Sequence, residues 1–215
     1  MKIFIFLFSC LIFSNAYSEQ KILHFNSARE ALNFFKNNHK KVLTFIGYSS
    51  AEYENENAML DIAQKILLQE DPKHTLISIG ATPEGIGKVY SLAKEMNFET
   101  IGIVSSQAEN DQVKTSPLSD TVVYIKDNLW GGYLPNTQIL SPTSDVVVNL
   151  SDKIIVIGGG GVGRDEMLYS YKIKKDIIFF PADLNHKISK SKNPQSNDYS
   201  GDAYKEHKKY FRLND

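Results

Sequence analysis

The sequence is poor in cysteine and has no large excess of either charge. Cys10 is the only cysteine in 215 residues, and 24 basic side chains are balanced by 25 acidic ones. General nucleic-acid binders usually carry a strong basic excess, so no nucleic-acid partner is expected. The histidines show no metal-ligand spacing such as His-x-x-x-His, so neither a metal site nor another cofactor is expected. They are His24, His39, His74, His186 and His207.

The first 18 residues have the pattern of a secretory signal peptide. Lys2 supplies a short basic end, the run Ile3 to Phe13 is apolar, and Ala16 and Ser18 are small residues at a cleavage site. The apolar run is too short to span a bilayer, which takes about 20 residues. We therefore expect an exported protein, periplasmic or secreted, with no stable membrane insertion after cleavage. A buried N-terminal helix or strand is the alternative.

Loss of this segment would leave a chain without cysteine. Such a chain forms no disulfide, has no thiolate nucleophile and holds no cysteine-bound zinc. Removing Lys2 leaves 23 basic side chains against the 25 acidic ones, a net charge of −2. The remainder is long enough to bury a core, and one domain is the natural number.

Short apolar runs alternate with amphipathic stretches along the chain. The runs are rich in β-branched or aromatic residues, and several are apolar on both faces, as in parallel strands covered by helices. Ser27 and Glu30 form a capping-box pattern at the start of one helix, and Ser141 with Pro142 fits the start of another. This alternation predicts an α/β fold, a three-layer Rossmann-like, doubly wound and mainly parallel sheet. The predicted strands are 42–46, 75–79, 100–104, 121–125, 153–157 and 176–180.

Three parts are expected in the chain. They are the signal peptide (1–18), a Rossmann-like domain (19–184) and a polar C-terminal segment (185–215). The last is either a solvated tail or a terminal helix over 201–211. Within the domain, the polar stretch 105–120 is expected to be a surface loop.

Glycine-rich loops follow three of the predicted strands. In an open parallel sheet, ligands bind beyond the carboxyl ends of the strands, and a glycine loop that enters a helix presents free N–H groups to an anion. Together the loops favour a small phosphate-bearing ligand such as a nucleotide. The candidate ligand-binding residues are Gly47 and Ser49 in the first loop, Gly80, Thr82 and Gly85 in the second, and Gly159, Gly160, Gly161 and Gly163 in the third.

Two common nucleotide fingerprints are absent. The chain has no Gly-x-x-x-x-Gly-Lys-Ser/Thr motif, which argues against a Walker-type ATPase. The pattern that begins at Gly159 has Arg164 where the dinucleotide fingerprint ends in glycine or alanine, and it lies late in the chain. NAD binding is therefore disfavoured.

The order of these loops resembles the SLOG superfamily, which includes the "lonely guy" phosphoribohydrolases and the proteins once labelled lysine-decarboxylase-like. The resemblance covers about residues 40–183. It rests on Gly47-Tyr-Ser-Ser50, on Gly80-Ala-Thr-Pro-Glu-Gly-Ile-Gly87 and on the run from Ser151-Asp152 to Glu166. It implies a Rossmann-like fold that binds a nucleotide or nucleoside phosphate.

The resemblance also points to Arg164 and Glu166. Arg164 stands where the family has threonine, Met167 where it has its last glutamate, and Thr143-Ser144-Asp145 where the hydrolases have an Arg-Lys pair. Phosphoribohydrolysis needs a positive charge near the phosphate and a carboxylate near the sugar. Arg164 is therefore the candidate ligand contact and Glu166 the candidate catalytic residue. Their plain alternatives are an exposed arginine and a helix-stabilising glutamate.

Three functions remain open from the sequence. Because the Arg-Lys pair is missing, binding of a nucleotide-like ligand ranks slightly above N-glycosidic hydrolysis, and a non-catalytic interaction protein is the third possibility. The loop Trp130 to Pro135 resembles a ligand-facing loop whose aromatic faces stack on a base, although a packed turn explains it equally well. The ligand and the oligomeric state, a homodimer included, stay open.

Overall fold

The computed structural model describes residues 19–192. The predicted signal peptide and the alternative terminal helix over 201–211 lie outside these residues. Strands and helices alternate as the sequence predicts. In chain order they are β1 Lys21–Phe25, α1 Ala28–Phe35, β2 Lys41–Gly47, α2 Glu56–Leu67, β3 Thr75–Gly80, a 3-10 turn Gly85–Lys88, α3 Val89–Glu95, β4 Glu99–Ser105, α4 Gln107–Asn110, β5 Thr121–Ile125, α5 Pro142–Leu150, β6 Lys153–Ile157, α6 Gly161–Lys172, β7 Asp176–Phe180 and α7 His186–Lys192.

The seven strands form one parallel sheet in the order β1-β5-β4-β3-β2-β6-β7. Helices α2 and α3 bury their apolar faces on one side of the sheet. Helices α1, α5 and α6 cover the other side. The prediction of a three-layer, doubly wound Rossmann-like fold is confirmed.

The direction of winding reverses between β2 and β6. After β2 the chain crosses to the side of α2, whereas after β6 it crosses to the side of α6. The loops that leave these adjacent strands therefore diverge and open a crevice at their carboxyl ends, which is where such sheets bind ligands.

Three elements of the structure were not predicted from the sequence. The sequence analysis did not predict β1, a short edge strand in which only Phe25 is buried and whose apolar run is interrupted by His24. The stretch 105–120 is not all loop, since α4 forms within it. Within the segment 185–215, expected to be a solvated tail or a terminal helix, a short helix α7 with no buried residue begins at His186, and Ile188 N donates to the side chain of Asn185 (3.0 Å).

The predicted helix starts are correct in position but differ in their caps. At α1, Glu30 N donates to Ser27 Oγ (3.2 Å), as a capping box requires. At α5, Ser141 makes no capping hydrogen bond, and its hydroxyl is buried without a partner. The carboxylate of Asp127 accepts from Thr143 N instead (2.9 Å), so a residue from the preceding loop caps this helix.

Among residues 19–192, none of the helices has the length and apolar character needed to cross a bilayer.

Candidate functional site

A cleft of about 740 Å³ opens at the carboxyl ends of β2, β3, β4 and β6. With strands about 4.8 Å apart, these four strands span about 14 Å. Eight of the eleven residues predicted as binding or catalytic line this single cleft. They are Gly47, Ser49, Gly80, Thr82, Gly160, Gly161, Gly163 and Glu166.

The position of Gly47 leaves no room for a side chain, because the hydroxyl of Tyr53 occupies that space. A Cβ at Gly47 would lie 1.9 Å from the hydroxyl of Tyr53. This buried hydroxyl donates to Ile157 O (2.8 Å) and accepts from Tyr48 N (3.2 Å). Tyr53 thus links the end of β2 to the end of β6 at the base of the cleft, where the loops that follow these two strands diverge.

Gly85 joins the first and second glycine loops and does not line the cleft. Its φ is +58°, and a Cβ there would lie 2.2 Å from Tyr48 O. The next residue, Ile86, donates its N–H to the same carbonyl (2.7 Å). The role of Gly85 is therefore to let two loops pack together, and Thr82 and Gly80 of its loop face the ligand space instead.

The four consecutive glycines divide into two pairs. Gly158 and Gly159 make the turn after β6, with φ of +58° and +123°, and Gly159 does not line the cleft. Gly160 and Gly161 begin α6, and a Cβ at either would meet no atom within 4 Å. The space in front of the helix is therefore open.

The start of α6 is the strongest anion site that the cleft offers. The first N–H groups of any helix lack intrahelical acceptors, and the helix dipole adds a partial positive charge there. Gly160, the N-cap residue, supplies no side chain to satisfy them. Gly163 lets the helix approach β2, since a Cβ at that position would lie 3.0 Å from Ile46 Cγ2. A phosphate fits both the charge and the open space.

Glu166 is a buried carboxyl group within the cleft. Its side chain is 6% exposed, and Ser144 Oγ donates to Oε1 over 2.6 Å. Burial raises the pKa of Glu166 to about 7; the Ser144 hydrogen bond opposes this rise, and the charge of Asp165 adds to it. Near neutral pH this carboxyl is therefore able both to hold and to release a proton.

Arg164 lies outside the lining of the cleft. Its guanidinium contacts Asp165 Oδ1, with Nη2 at 3.0 Å and Nε at 3.1 Å. Asp165 Oδ2 in turn accepts from Tyr133 N (3.0 Å). Among residues 19–192, Lys114 is the basic residue that lines the cleft, and it is exposed. An anion in the cleft would thus depend mainly on backbone N–H groups.

Two further residues of the site, Ser144 and Thr143, were not among the predicted ones, whereas the loop of Trp130 was considered from the sequence. Ser144 holds Glu166, Thr143 lines the cleft with a buried hydroxyl that has no partner, and Trp130 lies at the mouth. The Thr143 hydroxyl could have been suspected from the sequence, because Pro142 marks the first turn of a helix and such turns often face ligands. No cluster of residues within 19–192 has the composition of a metal site.

No protein-family model matches this chain, and no curated protein matches it significantly. Several solved structures are similar to it. TM1055, a structural genomics target, is 19% identical, with 64% of this chain and 72% of that chain covered and a TM-score of 0.47. The molybdenum cofactor carrier protein of Chlamydomonas reinhardtii is 16% identical (81% and 99% covered, TM-score 0.48). The molybdenum cofactor binding protein of Rippkaea orientalis is 17% identical (66% and 77% covered, TM-score 0.49). These values are too low to transfer a ligand or an activity to this chain.

Proposed function

We propose that this chain is an exported binding protein for a nucleotide or nucleoside phosphate. The observation that carries the proposal is the open start of α6, where Gly160 and Gly161 leave room for an anion beside unpaired backbone N–H groups. The resemblance of the three loops to the SLOG superfamily supports the same class of ligand.

Substitution of Gly161 tests the anion site directly. A Cβ at this position would meet no atom within 4 Å, so a leucine begins in open space and the fold is expected to be retained. We expect Gly161→Leu to weaken the binding of AMP and of ribose 5-phosphate at least tenfold in calorimetry. Ala58→Leu is the matched control, because it places the same side chain in the first turn of α2, at an exposed position outside the cleft. Equal affinities in the two variants would disprove the anion site.

Hydrolysis of an N-glycosidic bond is the second candidate function, and the state of Glu166 favours it. A carboxyl with a pKa near 7 suits a general acid that protonates a leaving base at neutral pH. Product analysis of the calorimetry samples separates the two functions. Release of free base that is lost in Glu166→Gln would establish catalysis, whereas intact ligand after long incubation would establish binding alone.

Export forms the second part of the proposal, and it rests on the sequence of residues 1–18. The mass of the protein recovered from cells that express the whole chain tests it. A polypeptide that begins at Glu19 and is found outside the cytoplasm is expected. A cytoplasmic polypeptide that keeps Lys2 and the apolar run would disprove export.

A further inference from the structure

Trp130 is an exposed aromatic residue on a well-anchored loop. Its side chain is 48% exposed and lines the cleft. On one side, Leu129 N donates to Asp127 Oδ1 (2.9 Å); on the other, Gly132 N donates to Ser144 Oγ (2.7 Å). The loop is therefore held by hydrogen bonds one residue before and two residues after Trp130, although the indole itself is half exposed to solvent.

Gly131 places this loop against the start of α6. Its φ is +133°, and a Cβ there would lie 2.8 Å from Val162 Cγ1 and 2.9 Å from Ser144 Oγ. Only glycine allows so close an approach in this conformation. Trp130 is thus kept next to the helix turn that offers the anion site.

Two exposed valines line the same cleft as Trp130. Val162 is 37% exposed and Val113 is 48% exposed, and both line the cleft. Of the nine large hydrophobic residues that are exposed within 19–192, these three share one cleft. None of the ring contacts within this part of the chain involves Trp130. The exposed indole of Trp130 is therefore available to stack on a planar apolar group of a ligand.

We propose that Trp130, with Val162 beside its loop, forms a stacking subsite for a heteroaromatic ring, so that the ligand of this cleft is a base-bearing phosphate and not a sugar phosphate. The part of this inference that concerns the phosphate of the ligand rests on the proposed function. Stacking of a base on an aromatic side chain tolerates any base and strengthens binding about tenfold or more. The cleft, at about 740 Å³, lies within the range of small-ligand pockets.

The sequence contains one tryptophan, so fluorescence excited at the red edge of the absorption band, where the 11 tyrosines absorb little, reports on Trp130. We expect AMP and GMP to quench the emission of Trp130, and ribose 5-phosphate and inorganic phosphate to leave it nearly unchanged. In calorimetry, AMP should bind at least tenfold more tightly than ribose 5-phosphate. Trp130→Leu should remove that advantage and leave the affinity for ribose 5-phosphate unaltered.

Phe34→Leu is the matched control. Phe34 is 52% exposed and lies outside the cleft, so this variant should keep both the quenching and the preference for AMP. Equal affinity for AMP and ribose 5-phosphate, unchanged in Trp130→Leu, would overturn the stacking subsite and leave the phosphate site standing.

Free adenosine separates this inference from the proposed function. If adenosine quenches Trp130 but no phosphate-bearing compound binds more tightly than adenosine, the stacking subsite stands and the anion site falls. If neither adenosine nor any phosphate binds, both proposals are overturned.

Discussion

Glu166 couples the stability of this protein to pH in the opposite sense to most carboxylates. Its pKa in the folded chain is about 7, because the side chain is buried, compared with an ordinary value of 4.5. Between these two values the folded state keeps the proton and the unfolded state has lost it. The contribution of Glu166 to the free energy of unfolding should therefore fall as pH rises through this range and level off above pH 7.

The size of the effect follows from the two pKa values. Each pKa unit is worth about 1.4 kcal/mol, so complete ionisation of Glu166 costs the folded state about 3 kcal/mol. Glu166→Gln removes the charge and keeps an oxygen that can accept from Ser144. We expect the variant to match the wild type near pH 4.5 and to be more stable by up to about 3 kcal/mol at pH 8.

Urea unfolding between pH 4.5 and 8.5 measures the difference between the two proteins. Subtraction of the two curves cancels the contributions of distant titrating groups. Glu95→Gln is the control, because it removes an equal charge from an exposed position on α3 and should follow the wild-type curve. If the Glu166→Gln curve ran parallel to the wild-type curve, Glu166 would not be the group that carries the proton.

Three other substitutions test particular contacts. Thr143→Val removes a buried hydroxyl without a partner, so we expect the free energy of unfolding to rise by about 1 kcal/mol, while calorimetry shows weaker AMP binding. Gly85→Ala puts a Cβ against Tyr48 O at positive φ, and urea unfolding should show a loss of more than about 1 kcal/mol; an unchanged midpoint would contradict this. Ser144→Ala removes the donor to Glu166 and the acceptor for Gly132 N. This variant should raise the pKa of Glu166 further and broaden the fluorescence emission band of Trp130.

The sequence was sufficient to predict the sheet and the place of the cleft. Strands such as 153–157 are apolar on both faces, which marks them as central parallel strands whatever their neighbours are. Because parallel strands end at one edge, the glycine loops after them had to meet there. Strand β1 is not apolar on both faces. Its position depends instead on backbone pairing with β5 and on Gln20, whose side chain donates to Ser116 O and Ser119 O.

The role of each glycine could not be deduced from the pattern. Gly85 and Gly161 look alike in the sequence, but one meets a carbonyl at 2.2 Å and the other meets open space. That difference depends on which loop packs against which, and such contacts join residues far apart in the chain. The pair formed by Ser144 and Glu166 is another such contact, and its members are 22 positions apart in the chain.

The separation of Arg164 from Glu166, in contrast, was available from helix geometry. Successive residues of an α-helix are rotated by about 100° around the helix axis, so Arg164 and Glu166, which are two positions apart, point in directions that differ by about 200°. If Glu166 faces the cleft, Arg164 must face away from it, where it meets Asp165. Loss of the Arg164 guanidinium should therefore affect the loop at Tyr133 more than the binding of an anion.

The charge of Glu166 also limits the chemistry that this cleft can support. A phosphate at the start of α6 and an ionised Glu166 would share one cleft whose only basic lining residue within 19–192 is the exposed Lys114. Their repulsion favours the protonated carboxyl whenever the anion is bound. A general acid is compatible with that state, whereas a carboxylate that attacks the sugar or activates water is not. Both binding and any hydrolysis should therefore weaken as pH rises through 7. The affinity ratio between the wild type and Glu166→Gln isolates this effect, because the ionisation of the ligand itself cancels.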